Sequence, residues 1–411
     1  MMRCLTALLL FLAITPVVTA DTVLVYGDTI HTMAGDAIED GYVLVRDGDI
    51  AAVGQAADFT PDGTETILRA TVVTPGLIDA HTCVGLAGHL NIKHDRDELD
   101  EGAPLQPHLR ALDAYNPRER LVEWVRGFGV TTVHTGHAPE SLISGQTMIV
   151  KTTGNRVEDA VIEPVAMIAC SMSDTAIRGE SPGTRAKAAA LLRQRLLDAQ
   201  HYARKQAARE AGAIVDDDEK DDSGKRDLEL ESLAAVLAGE TPLLIHAHKA
   251  RDIANALRLR EEFDIPIVLD GASEAYILQD DIKEAGVPVF IHPTMIRPFG
   301  ERENLSFETA SKLIEAGIPV AMQSGYESYV PRTRVVLYEA GMAAANGCEF
   351  DDALAMITIT PARILGIDDR VGSIEVGKDG DLALYDGDPF EWTSHCTGVV
   401  IDGAVASSTP R

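Results

Sequence analysis

The chain has 411 residues, 45% of them hydrophobic, and its 36 Lys and Arg against 64 Asp and Glu give a formal net charge of -28. That length suffices for one large domain and a smaller one around a substantial core. So acidic a surface repels phosphate backbones and anionic headgroups, which argues against nucleic acid as a partner.

Residues 1–20 read as a cleavable signal peptide: Arg3 supplies positive charge, Leu5 to Val18 an apolar run, and Val18-Thr19-Ala20 a small-residue cleavage site. The run is shorter than the about 20 residues a spanning helix needs, so the expectation is a secreted or periplasmic protein with no membrane insertion after cleavage. Four cysteines then remain, Cys83, Cys170, Cys348 and Cys396, too few in this length for a disulfide framework.

From Thr22 to Val73 short alternating strands are separated by Gly and Asp turns, the texture of β-hairpins. Next, a strand ending in Val73-Thr-Pro-Gly-Leu-Ile-Asp-Ala80 delivers His81, Thr82 and Cys83. Alternation along an extended segment points His81 and Cys83 the same way, the geometry two metal ligands need, and zinc takes thiolate as readily as imidazole. The competing reading of Cys83 is a small apolar packing residue.

His134 and His137 follow the run Gly129 to Val133, and Lys151 ends the run Met148-Ile-Val, where it reads as a surface lysine. A helix near Arg185 to Arg209 precedes the acidic run Asp216 to Gly224, a solvated loop. The middle of the chain then repeats one grammar, a helix end, a Pro and a short β-branched run: Thr241 to Ile245, Asp264 to Leu269, Gly286 to Ile291 and Gly317 to Met322. Such runs read as buried parallel strands in βα units, which suit a (β/α)8 barrel or, almost as well, a doubly wound open sheet. Their C-terminal ends carry His246 and His248, Asp270, His292, and Ser324-Gly325 followed by Glu327. Hairpin texture returns from Gly372 to Tyr385 and from Gly398 to Val405.

Two stretches carry a family resemblance. VTPGLIDAHTCVGL, residues 73–86, resembles the opening signature of the amidohydrolase superfamily, in which two histidines one residue apart bind a catalytic metal; Cys83 stands at the second. PARILGIDDRVGSIEVGKDGDLALYDGDPFE, residues 361–391, resembles that family's return from barrel to sandwich. The resemblance implies an α/β fold, a (β/α)8 TIM-like barrel over 75–365 with a small composite β-sandwich built from 21–74 and 366–411. It also implies a metal-binding histidine at 246 or 248, and it makes Lys151 a candidate for the bridging lysine of some members.

The same pattern fails at two later positions. Asp270-Gly271 stands where active relatives usually keep a histidine, and Ser324-Gly325 where the catalytic aspartate would be; neither Ser324 nor Gly325 can act as a general base. What remains is a mononuclear set, His81, Cys83 and His246 or His248, holding at most one Zn2+ per chain, with Asp270, His292 or Glu327 as base. Zinc lowers the pKa of bound water to about 7, so such a site can hydrolyse. The expected protein is an exported, imidazolonepropionase-like hydrolase of carbon-nitrogen bonds in amides, cyclic amides or peptide-like substrates. The alternative is a catalytically inactive barrel that binds a ligand or a partner; homo-oligomerisation is left open.

Overall fold

The computed structural model describes residues 22–90, 92–177, 181–212, 226–326 and 333–411. The signal segment, the acidic run and Glu327 lie outside the described residues. The strands in chain order are β1 (Thr22–Ile30), β2 (Ile38–Arg46), β3 (Asp49–Gln55), β4 (Thr66–Pro75), β5 (Leu77–Thr82), β6 (Val130–Thr135), β7 (Ile143–Gln146), β8 (Met148–Lys151), β9 (Val161–Glu163) and β10 (Ile168–Ser171). They continue with β11 (Leu243–Ala247), β12 (Ile267–Gly271), β13 (Val289–Ile291), β14 (Val320–Met322), β15 (Leu382–Tyr385), β16 (Cys396–Ile401) and β17 (Ala404–Ser407).

Both chain ends meet in one sheet of order β17-β16-β15-β4-β1-β2-β3. β4 is the seam, parallel to β1 on one side and antiparallel to β15 on the other, with Val73 opposite Leu384. Alternation gives this sheet a core of its own, in which Val23, Val25, Val43, Val45, Val73, Leu382, Leu384 and Val400 are buried. The β2–β3 hairpin closes through Asp47 and Gly48, both at positive φ, the backbone that an Asp-Gly two-residue turn supplies.

β10 to β14 run parallel in chain order, with β7 antiparallel on the β10 edge. Proline precedes four registers for a physical reason. Pro242, Pro266, Pro288 and Pro319 have no N–H to leave unpaired, and their carbonyls accept from Ile168, Leu243, Leu269 and Val289 of the neighbouring strand at 3.0 to 3.1 Å. The helix Ala250–Phe263 covers the sheet with Ile253, Ala256 and Leu259, three residues apart on one face. Its neighbours in the grammar, Gln279–Ala285 and Thr309–Glu315, separate the next strands.

A third sheet, β5-β6-β8-β9, meets the second edge to edge: the Gly325 N–H donates to the His81 carbonyl at 3.1 Å, beside a parallel bridge between Thr82 and Gly325. Ala80, Leu244, Val268, Phe290 and Ala321, one from each of β5, β11, β12, β13 and β14, share a buried cluster. The segment 143–151 departs from a uniform βα grammar, since β7 and β8 are antiparallel to β10 and β6. The connection 136–142 that leads into it is too short for a crossover helix, which needs about a dozen residues.

Lys151 is neither a surface lysine nor a cavity residue. Buried at the end of β8, its Nζ donates to Asp379 (2.7 Å), Asp381 (2.9 Å) and Asp402 (2.5 Å), which belong to the C-terminal part of the chain.

Candidate functional site

A cavity of about 360 Å³ opens where β5 and β11 to β14 end, and His81, His246, His248, Asp270, His292 and Gln323 share its wall. Asp270 is its organising group. β11 and β12 pair with His246 opposite Asp270, so the two side chains leave neighbouring strands on one side. His246 Nδ1 lies 2.6 Å from Oδ2, His81 Nδ1 lies 3.2 Å from Oδ1, and the Gln323 amide donates to Oδ1 at 2.5 Å. Gln323 also donates to the Phe290 carbonyl at 3.0 Å, which fixes its amide. Burial opposes ionisation of Asp270, yet the charges and hydrogen bonds of His81 and His246 hold its carboxyl well below the usual carboxylate range. A carboxylate so stabilised is a weak proton acceptor.

Gly271 makes the close packing of imidazoles here feasible. At φ 80° it adopts a backbone that side-chain-bearing residues rarely take, and a Cβ there would meet His248 Cε1 at 2.8 Å and His246 Cε1 at 2.9 Å. The two rings stand edge to face with centroids 4.5 Å apart. His248 Nδ1 is 2.8 Å from Ser273 Oγ, and burial pushes the imidazole well below its ordinary range.

His292 has an open nitrogen on the cavity wall. Its Nδ1 donates to the Pro293 carbonyl at 2.9 Å, and a carbonyl can only accept, so the proton sits on Nδ1 and the lone pair on Nε2. That Nε2 is buried with no hydrogen-bond partner, as is His81 Nε2. Burial lowers His292 to about 4, so the ring is neutral at ordinary pH.

Cys83 is not among the residues that line the cavity. The strand ends at Thr82, and Cys83 opens a turn whose carbonyl accepts from Leu86 and Ala87, so alternation no longer carries its side chain beside His81. It is buried with Ala87 and Ala138 in an apolar cluster on which Tyr326, itself part of the cavity wall, packs. His134 is satisfied on both nitrogens, by the Ala80 carbonyl (2.7 Å) and Thr147 Oγ1 (2.6 Å), and burial takes it down to about 3. Ser324 donates its N–H to Asp79 Oδ1 at 2.9 Å and its hydroxyl to Thr82 at 3.0 Å, a structural role under the cavity.

Among the described residues no three His, Cys, Asp or Glu side chains form a ready ligand group for a metal. The donor chemistry nevertheless suits one ion. His81 and His246 each turn Nδ1 to one carboxylate, the arrangement in which a metal-binding histidine offers its other nitrogen, and His81 Nε2 is a buried orphan. Sequence reasoning did not single out Gln323, which reaches the cavity one residue past β14, nor Phe299 and Arg302, which line it from the loop after β13.

A sequence profile of the Amidohydrolase family matches residues 239–407. The chain is 23% identical over 400 residues to "Amidohydrolase tasK" of Hapsidospora irregularis, covering 90% of this chain but 40% of that one. It is 27% identical over 386 residues to an imidazolonepropionase of Rhizorhabdus wittichii, covering 86% of this chain and 91% of that one. Among solved structures an amidohydrolase from Thermotoga maritima superposes with a TM-score of 0.86 at 28% identity, covering 94% of this chain and all of that one. A Xaa-Pro dipeptidase with bound methionine shares the fold, at a TM-score of 0.55 and 16% identity over 94% of this chain and 99% of that one.

Proposed function

We propose that this chain, which belongs to the amidohydrolase superfamily and is a hydrolase of carbon-nitrogen bonds, is exported and acts on small amides, cyclic amides or peptide-like substrates with at most one zinc ion per chain. The division proposed is a composite β domain of 21–74 and 366–411 around a closed barrel of 75–365. The buried cluster fed by one residue from each of five strands, and the edge-to-edge bonding of Gly325 to His81, support closure.

One observation carries the site: a single carboxylate, Asp270, takes the Nδ1 of both His81 and His246. His81 and His246 would hold the ion through Nε2, with His248 as the third donor. When bound, zinc lowers the pKa of a water and polarises the substrate carbonyl. Asp270 and Gln323 orient the two imidazoles. His292 Nε2, neutral and unpartnered, takes the proton from the attacking water and returns it to the leaving nitrogen. The imidazole lowered to about 4 is a modest base, which fits slow or narrow hydrolysis.

Elemental analysis of the purified protein, with turnover measured on a panel of amides before and after chelation, tests this. The expected result is about one zinc per chain, activity lost on chelation and restored by zinc, and a fall of roughly 100-fold or more in His292→Gln. Protein free of metal that turns over no amide would decide for the non-catalytic ligand-binding barrel. Export is tested separately: the protein secreted by its native host should begin at Asp21.

A further inference from the structure

Glu339 is a fully buried carboxyl on the helix Val336–Ala344, which contributes no residue to the cavity wall. Its Oε2 nevertheless reaches the turn that follows β13. The Thr294 hydroxyl lies 2.6 Å from Oε2 and 3.0 Å from the Glu339 carbonyl, and the Met295 N–H donates to the same Oε2 at 2.9 Å. Arg334 Nη1 stands 3.7 Å from the other carboxyl oxygen.

That turn supports His292. The Ile296 N–H closes it on the Pro293 carbonyl at 3.2 Å, and the same carbonyl takes the His292 Nδ1–H at 2.9 Å. Upstream, the His292 N–H is fixed to the Gly271 carbonyl at 2.8 Å. The Pro293 carbonyl is thus held between two fixed points. One is the end of β13; the other is Thr294 and Met295, the central residues of the turn, which Glu339 grips through one oxygen. Swinging that carbonyl away would leave Nδ1 without its acceptor and free the imidazole to change tautomer. Both donors meet a single oxygen, so the turn uses an acceptor and not a charge. Burial pushes the Glu339 carboxyl upward, but Oε2 accepts in either protonation state when the proton sits on Oε1.

We propose that Glu339 is a positioning residue: it holds the turn Pro293–Ile296 so that His292 keeps its proton on Nδ1 and its lone pair on Nε2. The catalytic consequence rests on the reading of His292 as the proton acceptor; the positioning itself does not. Misplacing a reacting group by about 1 Å costs about 100-fold in rate, so the effect of Glu339 falls on kcat rather than on KM.

The test reads the His292 ring directly, in full-length protein labelled with 15N-histidine, where the signal that disappears in His292→Gln assigns it. Wild type should show the Nδ1–H tautomer by long-range 1H–15N correlation. Glu339→Gln keeps an acceptor in place and should preserve both that signature and kcat to within about threefold. Glu339→Leu removes the acceptor and should give a mixed or Nε2–H tautomer. On the amide that wild type hydrolyses fastest, its kcat should fall about tenfold or more while KM stays within about twofold. Where Glu339→Leu does not fold, Thr294→Val, which removes one donor at nearly constant shape, should move the signature in the same direction. A tautomer shift in Glu339→Leu, in a protein whose wild type hydrolyses no amide, upholds the positioning and sinks the hydrolase reading. Three results overturn the proposal: a wild-type His292 protonated on Nε2, a folded Glu339→Leu or Thr294→Val with the wild-type signature, or a Glu339→Gln that loses it as fully as Glu339→Leu.

Discussion

Replacing Lys151 with Met should destabilise the protein by an amount that depends on pH in a calculable way. Lys151 is 3% exposed and meets Asp381, equally buried, at 2.9 Å; Asp379 keeps Arg370 as a second partner at 2.7 Å, and Asp402 is half exposed. The exposed Asp402 contact contributes about 1 kcal/mol or less. Asp381 decides the outcome, because without Lys151 it retains the Asp402 N–H at 2.9 Å and a second oxygen that already lacks a partner. A stranded buried carboxylate costs about 3–5 kcal/mol.

Proton uptake sets the ceiling of that penalty. Neutralising a carboxyl of ordinary pKa near 3.9 at pH 7 costs about 4 kcal/mol, at about 1.4 kcal/mol per pH unit. Asp381 is already raised by burial against the pull of Lys151, and losing the lysine raises it further. A folded-state pKa above the unfolded one means that the folded state binds more protons, so the deficit of the variant shrinks as pH falls toward 4. Lys151 itself, raised because its three carboxylates outweigh burial, is protonated in both states across this window and adds no slope. Urea unfolding should therefore show a deficit of about 4 kcal/mol at pH 7 and about 1.5 kcal/mol at pH 5, largely recovered in Lys151→Met/Asp381→Asn. A deficit below about 1 kcal/mol at pH 7, or one that does not shrink at pH 5, would refute this reasoning.

Asp270→Asn removes the acceptor that orients His81 and His246, and should lower zinc affinity about 10- to 100-fold, read by metal content after dialysis against a graded chelator. Gly271→Ala forces a Cβ to within 2.9 Å of two imidazoles at positive φ; turnover should fall more than tenfold and the unfolding free energy by about 1–3 kcal/mol, and an unaffected enzyme would contradict the packing described. Cys83→Ala should leave zinc content and kcat at wild-type values, because its side chain packs in an apolar cluster away from the cavity lining. His134, held to about 3 by burial, is neutral when folded while its unfolded counterpart takes up a proton below about 6.5; stability should drop on acidification from pH 6 to 4 by up to about 1.4 kcal/mol per unit, a slope that His134→Gln reduces.

What could be read in the sequence was the part governed by local rules. The Pro-led β-branched runs from Thr241 to Met322 become β11 to β14 because each proline lends a carbonyl to the adjacent strand and needs no partner for a missing N–H. The Asp-Gly turns mark hairpins for an equally local reason, their positive φ. Lys151 could not be read in this way. Its three partners lie more than 220 positions away, and a lysine ending a short strand looks like any surface lysine until those carboxylates are brought over it.

The candidate site divides along the same line. Each residue at a strand end could be nominated one at a time, but the role of Asp270 depends on the register of β11 against β12 and on the return of β5 from 189 positions away. Taken alone, Asp270 is a missing histidine and a candidate base. Between two imidazoles and the Gln323 amide it is held by three partners, while His292, whose Nδ1 is bound to a carbonyl, keeps an unshared Nε2. Cys83 stands where a local rule runs out, since period-two alternation holds only while the chain remains extended and the strand stops at Thr82. The substitutions that look like decay in the sequence therefore alter which side chain does what around a cavity that remains lined by imidazoles, and a loss of the usual aspartate at Ser324 does not by itself remove every proton acceptor from the site.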